Sequence, residues 1–297
     1  METDKGVYKL EQAFAPVNLD AYFQRIGYRN NANGFSLENN YAPTLDTLKA
    51  IHQRHPAVIP FENLNPLLQQ PVRLDLPSLQ QKLLEQGRGG YCFEQNLLLR
   101  SVLITLGFRV TSLAARVQWN IPEGTMMPRT HMLLLVDIDE QPYIADVGFG
   151  GLTLTAPLRL VPDIEQSTSH EPFRFIADNH TYTMQAKLGE AWKPLYTFDL
   201  QEQHLPDYEV SNWYVASHPD SLFVNHLIVA RPDIDCRYSL RNNQLSTHYL
   251  NGQTEQRVLK TVDELRTVLE DIFRLTLPAI DSLDSTLQQI VNPVNKL

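Results

Sequence analysis

The chain has 297 residues, 43% of them hydrophobic and 20% charged, with a formal net charge of −9. That length supports a sizeable core in two or three structural units, and the acidic balance argues against nucleic acid as the main partner. No apolar run approaches the roughly 20 residues a membrane helix needs, and two cysteines make neither a disulfide framework nor a zinc cluster.

Taken in chain order, Met1-Glu2-Thr3-Asp4-Lys5 lacks the basic-then-apolar order of a secretory signal. A cytoplasmic home is expected, where the reducing environment keeps Cys92 free. Asn18-Leu19-Asp20-Ala21-Tyr22-Phe23 opens a short amphipathic helix that Gly27 ends. An Asn-rich polar loop follows from Arg29 to about Tyr41. Leu45, Leu48 and Ile51 mark a second helix, with His52 and His55 near its end, where they favour the negative dipole. Ser78 and Gln81 form a capping-box pattern ahead of Leu79, Leu83 and Leu84, and Gly87 closes that helix. The segment from Phe93 to Leu106, stopped by Gly107, completes a helical first third.

The period then shortens to that of strands. Ser112 to Trp119, His131 to Ile138, Tyr143 to Val147, Phe173 to Ala177, Thr181 to Ala186 and Pro194 to Phe198 read as short strands in series, which suggests an antiparallel barrel or sandwich. Further strands are expected over Phe223 to Val229, Arg237 to Leu240 and Leu245 to Tyr249. Thr261 and Glu264 then cap a helix whose stripe is Val262, Leu265, Val268, Leu269, Ile272 and Phe273.

Of the two cysteines, Cys92 has chemical surroundings. It follows Arg88-Gly89-Gly90-Tyr91 and stands at the first turn of an apolar helix, where free N–H groups and the positive dipole end favour a thiolate. Cys236, between Asp235 and Arg237, reads as inert. A thiol nucleophile needs a base and a group to orient that base. Among nine histidines, His131 begins a core strand, so it is rigid yet can face a cleft. Asp146 sits within the apolar run of the next strand, a costly place unless it is partnered. Pairing the two strands as a hairpin across Asp139-Glu140-Gln141-Pro142 brings Asp146 to the His131 end, leaving the second imidazole nitrogen for Cys92. The backbone N–H of Tyr91 or of Phe93 is a candidate oxyanion donor.

Three separated stretches then carry a resemblance: Ile59-Pro60-Phe61-Glu62-Asn63-Leu64, Arg88-Gly89-Gly90-Tyr91-Cys92-Phe93-Glu94-Gln95-Asn96, and Thr130-His131 with Asp146-Val147-Gly148-Phe149-Gly150. In this order they resemble the arylamine N-acetyltransferase family, and the likeness runs from about Leu19 to the C-terminal helix, including Ser211-Asn212-Trp213-Tyr214. The resemblance implies an α+β fold with a papain-like or transglutaminase-like core: a helical bundle over 1–107, an antiparallel β-barrel over 108–216 and an α/β lid over 217–297. It implies Cys92 as nucleophile, His131 as base and acid, Asp146 as orienting carboxylate, and acetyl-CoA as co-substrate with no permanently bound cofactor and no metal.

The acceptor that the resemblance implies is an aromatic amine, an arylhydroxylamine or a hydrazine. Phe61, Val117, Thr130 and Phe149 are candidates to line the cleft, and Gly148-Phe149-Gly150-Gly151 to wrap coenzyme phosphates. Glu62 and Arg88 are read as a buried pair supporting the cysteine loop. Residues before Val17 look like an N-terminal extension, and the Asn-rich loop looks longer than usual for the family. A macrolactam-forming amide synthase of the same fold and a Cys-His-Asp hydrolase or transglutaminase are the alternative readings, and monomer versus homodimer stays open.

Overall fold

The computed structural model describes residues 17–28, 41–122 and 124–292. The residues before Val17 and the Asn-rich segment from Arg29 to Asn40 lie outside them. Helix α1 (Leu19–Arg25) is capped by the Asn18 side chain, which accepts from the Ala21 N–H, and α2 (Leu45–Val58) by Thr44, which accepts from Thr47. A two-residue strand β1 (Phe61–Glu62) and the short α3 (Leu64–Leu67) lead to α4 (Leu76–Gln80), which continues as a wider π turn over Gln81–Glu85.

The start of α4 corrects the sequence reading. Asp75, not Ser78, is the cap: its Oδ1 accepts from the Ser78 N–H at 3.0 Å, so Ser78 lies inside the helix. Pro77 in the first turn, where its missing N–H costs nothing, favours this earlier start. Helix α5 (Cys92–Thr105) then buries Leu98, Leu99, Val102 and Leu103 completely. Each such burial contributes about 1.5–3 kcal/mol, so the helix that starts with Cys92 is anchored along its length.

The central strands are β2 (Arg109–Val117), β3 (Arg129–Ile138), β4 (Gln141–Ala145), β5 (Leu158–Arg159), β6 (Phe173–Asp178), β7 (Thr181–Leu188) and β8 (Ala191–Phe198). They form one seven-stranded sheet in the order β5-β4-β3-β2-β8-β7-β6. Beyond β5 the chain bridges to β6 at Pro162–Phe175 and Gln166–Phe173, joining the sheet's two ends around a core of Leu113, Leu133, Phe173, Phe175, Met184 and Tyr196. The β3–β4 hairpin forms as expected, turning through Asp139 and Glu140, both at positive φ. Its second strand lies two residues earlier than predicted: β4 ends at Ala145, and Asp146 lies just past it.

Helix α6 (Leu205–Ser217), unforeseen in sequence, crosses from this sheet to the last part of the chain. The expected strand over Phe223 to Val229 is instead the short α7 (Leu222–Asn225) followed by β9 (Ile228–Pro232). Ser221 decides this, because its hydroxyl accepts from the Phe223 N–H and turns the chain into a helix. Strands β10 (Cys236–Arg241), β11 (Gln244–Tyr249) and β12 (Thr254–Val258) complete a second sheet, β1-β9-β10-β11-β12, into which the early strand β1 is threaded. Helix α8 (Val262–Thr267), capped by Thr261, runs on as a π turn over Val268–Ile272, and α9 (Ser282–Val291) closes the described chain.

Candidate active site

Cys92 is the first residue of α5, and two buried networks fix the loop before it. Arg88 donates from Nε and Nη2 to Glu62 Oε1 at 3.0 and 2.7 Å, and Glu62 Oε2 accepts from the Leu64 N–H. Burial opposes the Glu62 charge, but Arg88 and Lys82 outweigh it and hold the carboxyl below its usual range. Gln95 Nε2 donates to the carbonyls of Ile59, Pro60 and Gly90. Its Oε1 must therefore accept, so His55 donates from Nε2 and accepts the Tyr22 hydroxyl at Nδ1. Gly89 passes so close to Pro60 that a Cβ there would stand 2.1 Å from the Pro60 carbonyl oxygen.

His131 is buried on β3 and donates from Nε2 to Asp146 Oδ2 at 2.7 Å, which leaves Nδ1 for the Cys92 sulfur in the same cleft. The sulfur also lies 3.6 Å from the Thr130 carbonyl oxygen. Besides His131, the Asp146 carboxylate accepts from the Tyr196 hydroxyl (2.9 Å), Asn96 Nδ2 (3.0 Å) and the Gly148 N–H (2.9 Å). Burial works against its charge, but His131 and these donors prevail and keep it ionised below the usual carboxyl range. Burial likewise works against a charged His131, yet the Asp146 charge and hydrogen bond and the Cys92 contact push the imidazole up to about 10. The resting proton therefore belongs on the imidazole.

Several residues reach the site without having been foreseen there. Asn96, one helical turn after Cys92, binds Asp146, the Met132 carbonyl and the Val147 N–H; its i+4 spacing from the cysteine was the available signal. His52 Nε2 accepts the Asp146 N–H at 3.1 Å. This corrects the dipole reading of His52 and His55: burial holds them down to about 3 and about 4, so neither is charged at neutral pH. The Tyr91 N–H donates to Glu94 Oε2 at 3.1 Å, which removes it as an oxyanion donor.

The cysteine, the histidine and the expected lining residues Phe61, Val117, Thr130, Gly148, Phe149, Gly150 and Gly151 share one cleft of about 1240 Å³. Glu62 and Arg88 stand behind it. A Cβ on Gly148 would come within 2.7 Å of Cys92 Cα, so glycine is what lets this turn pack on Cys92. In the glycine-rich turn two N–H groups are already committed, Gly148 to Asp146 and Phe149 to Thr153 Oγ1. The opposite wall comes from the second sheet and brings Arg237, Arg241 and His248. Arg237 is buried and bonds Glu171 only through Nε, leaving Nη1 and Nη2 without partners among the described residues. Burial pushes the Cys236 thiol up, in keeping with an inert sulfur.

A thiol and an imidazole on one cleft, with a buried carboxylate bonded to that imidazole, are a constellation suited to an enzyme with a cysteine nucleophile. A sequence model of the N-acetyltransferase family matches residues 44–282. The chain is 43% identical over 258 residues to the arylamine N-acetyltransferase of Escherichia coli K12, covering 86% of this chain and 88% of that one. It is 41% identical to the arylamine N-acetyltransferase / N-hydroxyarylamine O-acetyltransferase of Salmonella typhimurium, over 78% and 83% of the two chains. The fold superposes on the Mycobacterium tuberculosis arylamine N-acetyltransferase with a TM-score of 0.84, at 38% identity over 91% and 99% of the chains. The Mycobacterium marinum enzyme in complex with CoA gives 0.85 at 35% identity, over 93% and 99%. The chain belongs to the arylamine N-acetyltransferase family, and is an acyltransferase with that family's α+β fold; neither alternative reading is favoured.

Proposed function

We propose that this enzyme transfers an acetyl group from acetyl-CoA through an acetyl-cysteine at Cys92 to an arylamine, arylhydroxylamine or hydrazine. The observation that carries this is the His131 imidazole, which donates from Nε2 to Asp146 and keeps Nδ1 for the Cys92 sulfur in the same cleft. The sulfur attacks the thioester carbonyl carbon, and the tetrahedral oxyanion collapses by breaking the C–S bond to CoA, whose sulfur takes the proton from His131. The acceptor nitrogen then attacks the acetyl-cysteine, passes its proton to His131, and the Cys92 sulfur departs. Asp146 stays ionised throughout and steadies the imidazolium.

Phe61, Val117 and Phe149 supply apolar walls for the acceptor, and the lid-side cations Arg237 and Arg241 supply positive charge suited to a phosphorylated donor. The division into a helical unit (1–107), a barrel (108–216) and a lid (217–297) is part of the same reading, as is a cytoplasmic setting. Among the described residues no helix is long and apolar enough to cross a membrane, and both cysteines are free. Steady-state CoA release with an anisidine or a hydrazine as acceptor should give parallel double-reciprocal lines and vanish in Cys92→Ala. Intersecting lines, or turnover of peptides without acetyl-CoA, would count against the proposal.

A further inference from the structure

Cys92 and His131 stand on different elements, the first turn of α5 and the start of β3, so their spacing depends on what ties those elements together. On one side Asn96 does so, donating to the Met132 carbonyl at 2.8 Å and to Asp146 at 3.0 Å. On the other side two consecutive residues of α6 reach one flank each. Ser211 Oγ donates to the Arg129 carbonyl at 3.0 Å, two residues before His131. Asn212 Oδ1 accepts the hydroxyl of Tyr91, the residue immediately before Cys92, while its Nδ2 donates to the Val72 carbonyl at 3.1 Å.

The helix that offers these two groups is itself pinned. The Tyr208 hydroxyl donates to the Leu113 carbonyl at 3.0 Å, its ring meets Phe93, and Asp207 accepts the His204 N–H at the helix start. Arg129 is held a second time through its guanidinium, which pairs with Asp199 just upstream of α6. Tyr91 is fully buried, and neither it nor Ser211 nor Asn212 lines the cleft. Their hydrogen bonds therefore act on the site through the backbone flanking the thiol and the imidazole.

We infer that Ser211 and Asn212 of α6 are positioning residues that, with Asn96 opposite, set the separation of the Cys92 sulfur from His131. This rests on the Cys92–His131–Asp146 reading given above. A sulfur–imidazole hydrogen bond tolerates little displacement, and a shift of about 1 Å can cost on the order of 100-fold in rate. Losing one tether should therefore appear in catalysis well beyond the loss of one hydrogen bond.

The test removes one hydroxyl at a time, with Ser211→Ala and Tyr91→Phe. Two quantities are measured: Cys92 acylation by acetyl-CoA, and the pH profile of Cys92 alkylation by iodoacetamide. Each variant should acylate about tenfold more slowly or worse, with the KM for acetyl-CoA within about twofold of the parent. The alkylation profile should depart from the parent's toward that of His131→Ala, and Ser211→Thr, which keeps the hydroxyl, should restore it. Should Ser211→Ala fail to fold, Tyr91→Phe carries the test. Folded variants with lowered melting temperatures but unmoved acylation and alkylation profiles would overturn the inference. The parent is compared in parallel with His131→Ala: a profile independent of His131 would sink the triad itself, whereas a His131-dependent profile unmoved by the tether variants would sink only the role of α6.

Discussion

In the proposed mechanism much of the chemistry rests on one residue, Asp146. Four donors from β3, β8, α5 and the following turn converge on its carboxylate, and its charge is what holds the buried imidazole up near 10. In Asp146→Asn that charge is gone and burial, which acts in the opposite direction, takes over, so His131 gives up its proton at a far lower pH. Acylation measured by rapid-mixing CoA release should fall by about 10² to 10⁴-fold; an unchanged rate would remove the carboxylate from the mechanism. Gly148→Ala tests close packing at the same scale, because its Cβ would lie 2.7 Å from Cys92 Cα. A fall of about tenfold or more in acylation is expected, read by the same assay. The three residues of the proposed triad were legible as candidates because each stands in a local motif. Tyr196 was not, since only the pairing of β8 with β2 brings it to Asp146, 50 residues away in sequence.

At the scale of elements, the loop before Cys92 depends on being joined to β1 by the buried Arg88–Glu62 pair. Arg88→Met leaves the Glu62 carboxylate buried without its bidentate partner, which should cost about 3–5 kcal/mol of stability in urea unfolding; a loss below about 1 kcal/mol would show that Lys82 suffices alone. Periodicity exposed the long buried elements, α2, α5 and the β3–β4 hairpin, because their apolar faces are regular. It failed where local hydrogen bonds override pattern. Asp75 captures the start of α4 from Ser78, and Ser221 turns an apolar run into a helix. Strand β12 is exposed at every residue, so no alternation marked it. Helix α6 was hidden for a related reason: Val210 and Trp213 remain exposed, which blurs its apolar stripe.

Across the whole molecule, the fold holds two buried histidines neutral behind the site, and this has a consequence in acid. His52 and His55 titrate near 3 and near 4 in the folded chain, against about 6.5 unfolded. Below about pH 6.5 the unfolded state binds protons that the native state refuses, so stability drains as pH falls, by about 2 kcal/mol for each histidine at pH 5. Urea unfolding at pH 7 and pH 5 should show this loss, reduced in His55→Gln; equal stability at both values would contradict it. The fold class was readable from the order of helices, strands and mixed elements. The threading of β1 into the C-terminal sheet and the two-walled cleft it helps close were not, because both arise from contacts more than 150 residues apart. The central claim is that Cys92 carries the acetyl group, and mass spectrometry of the intact protein after exposure to acetyl-CoA alone tests it most directly. One acetyl group should appear on Cys92, be removed by an arylamine or hydrazine, and be absent from Cys92→Ala; an unmodified parent, or an adduct that survives in Cys92→Ala, would contradict it.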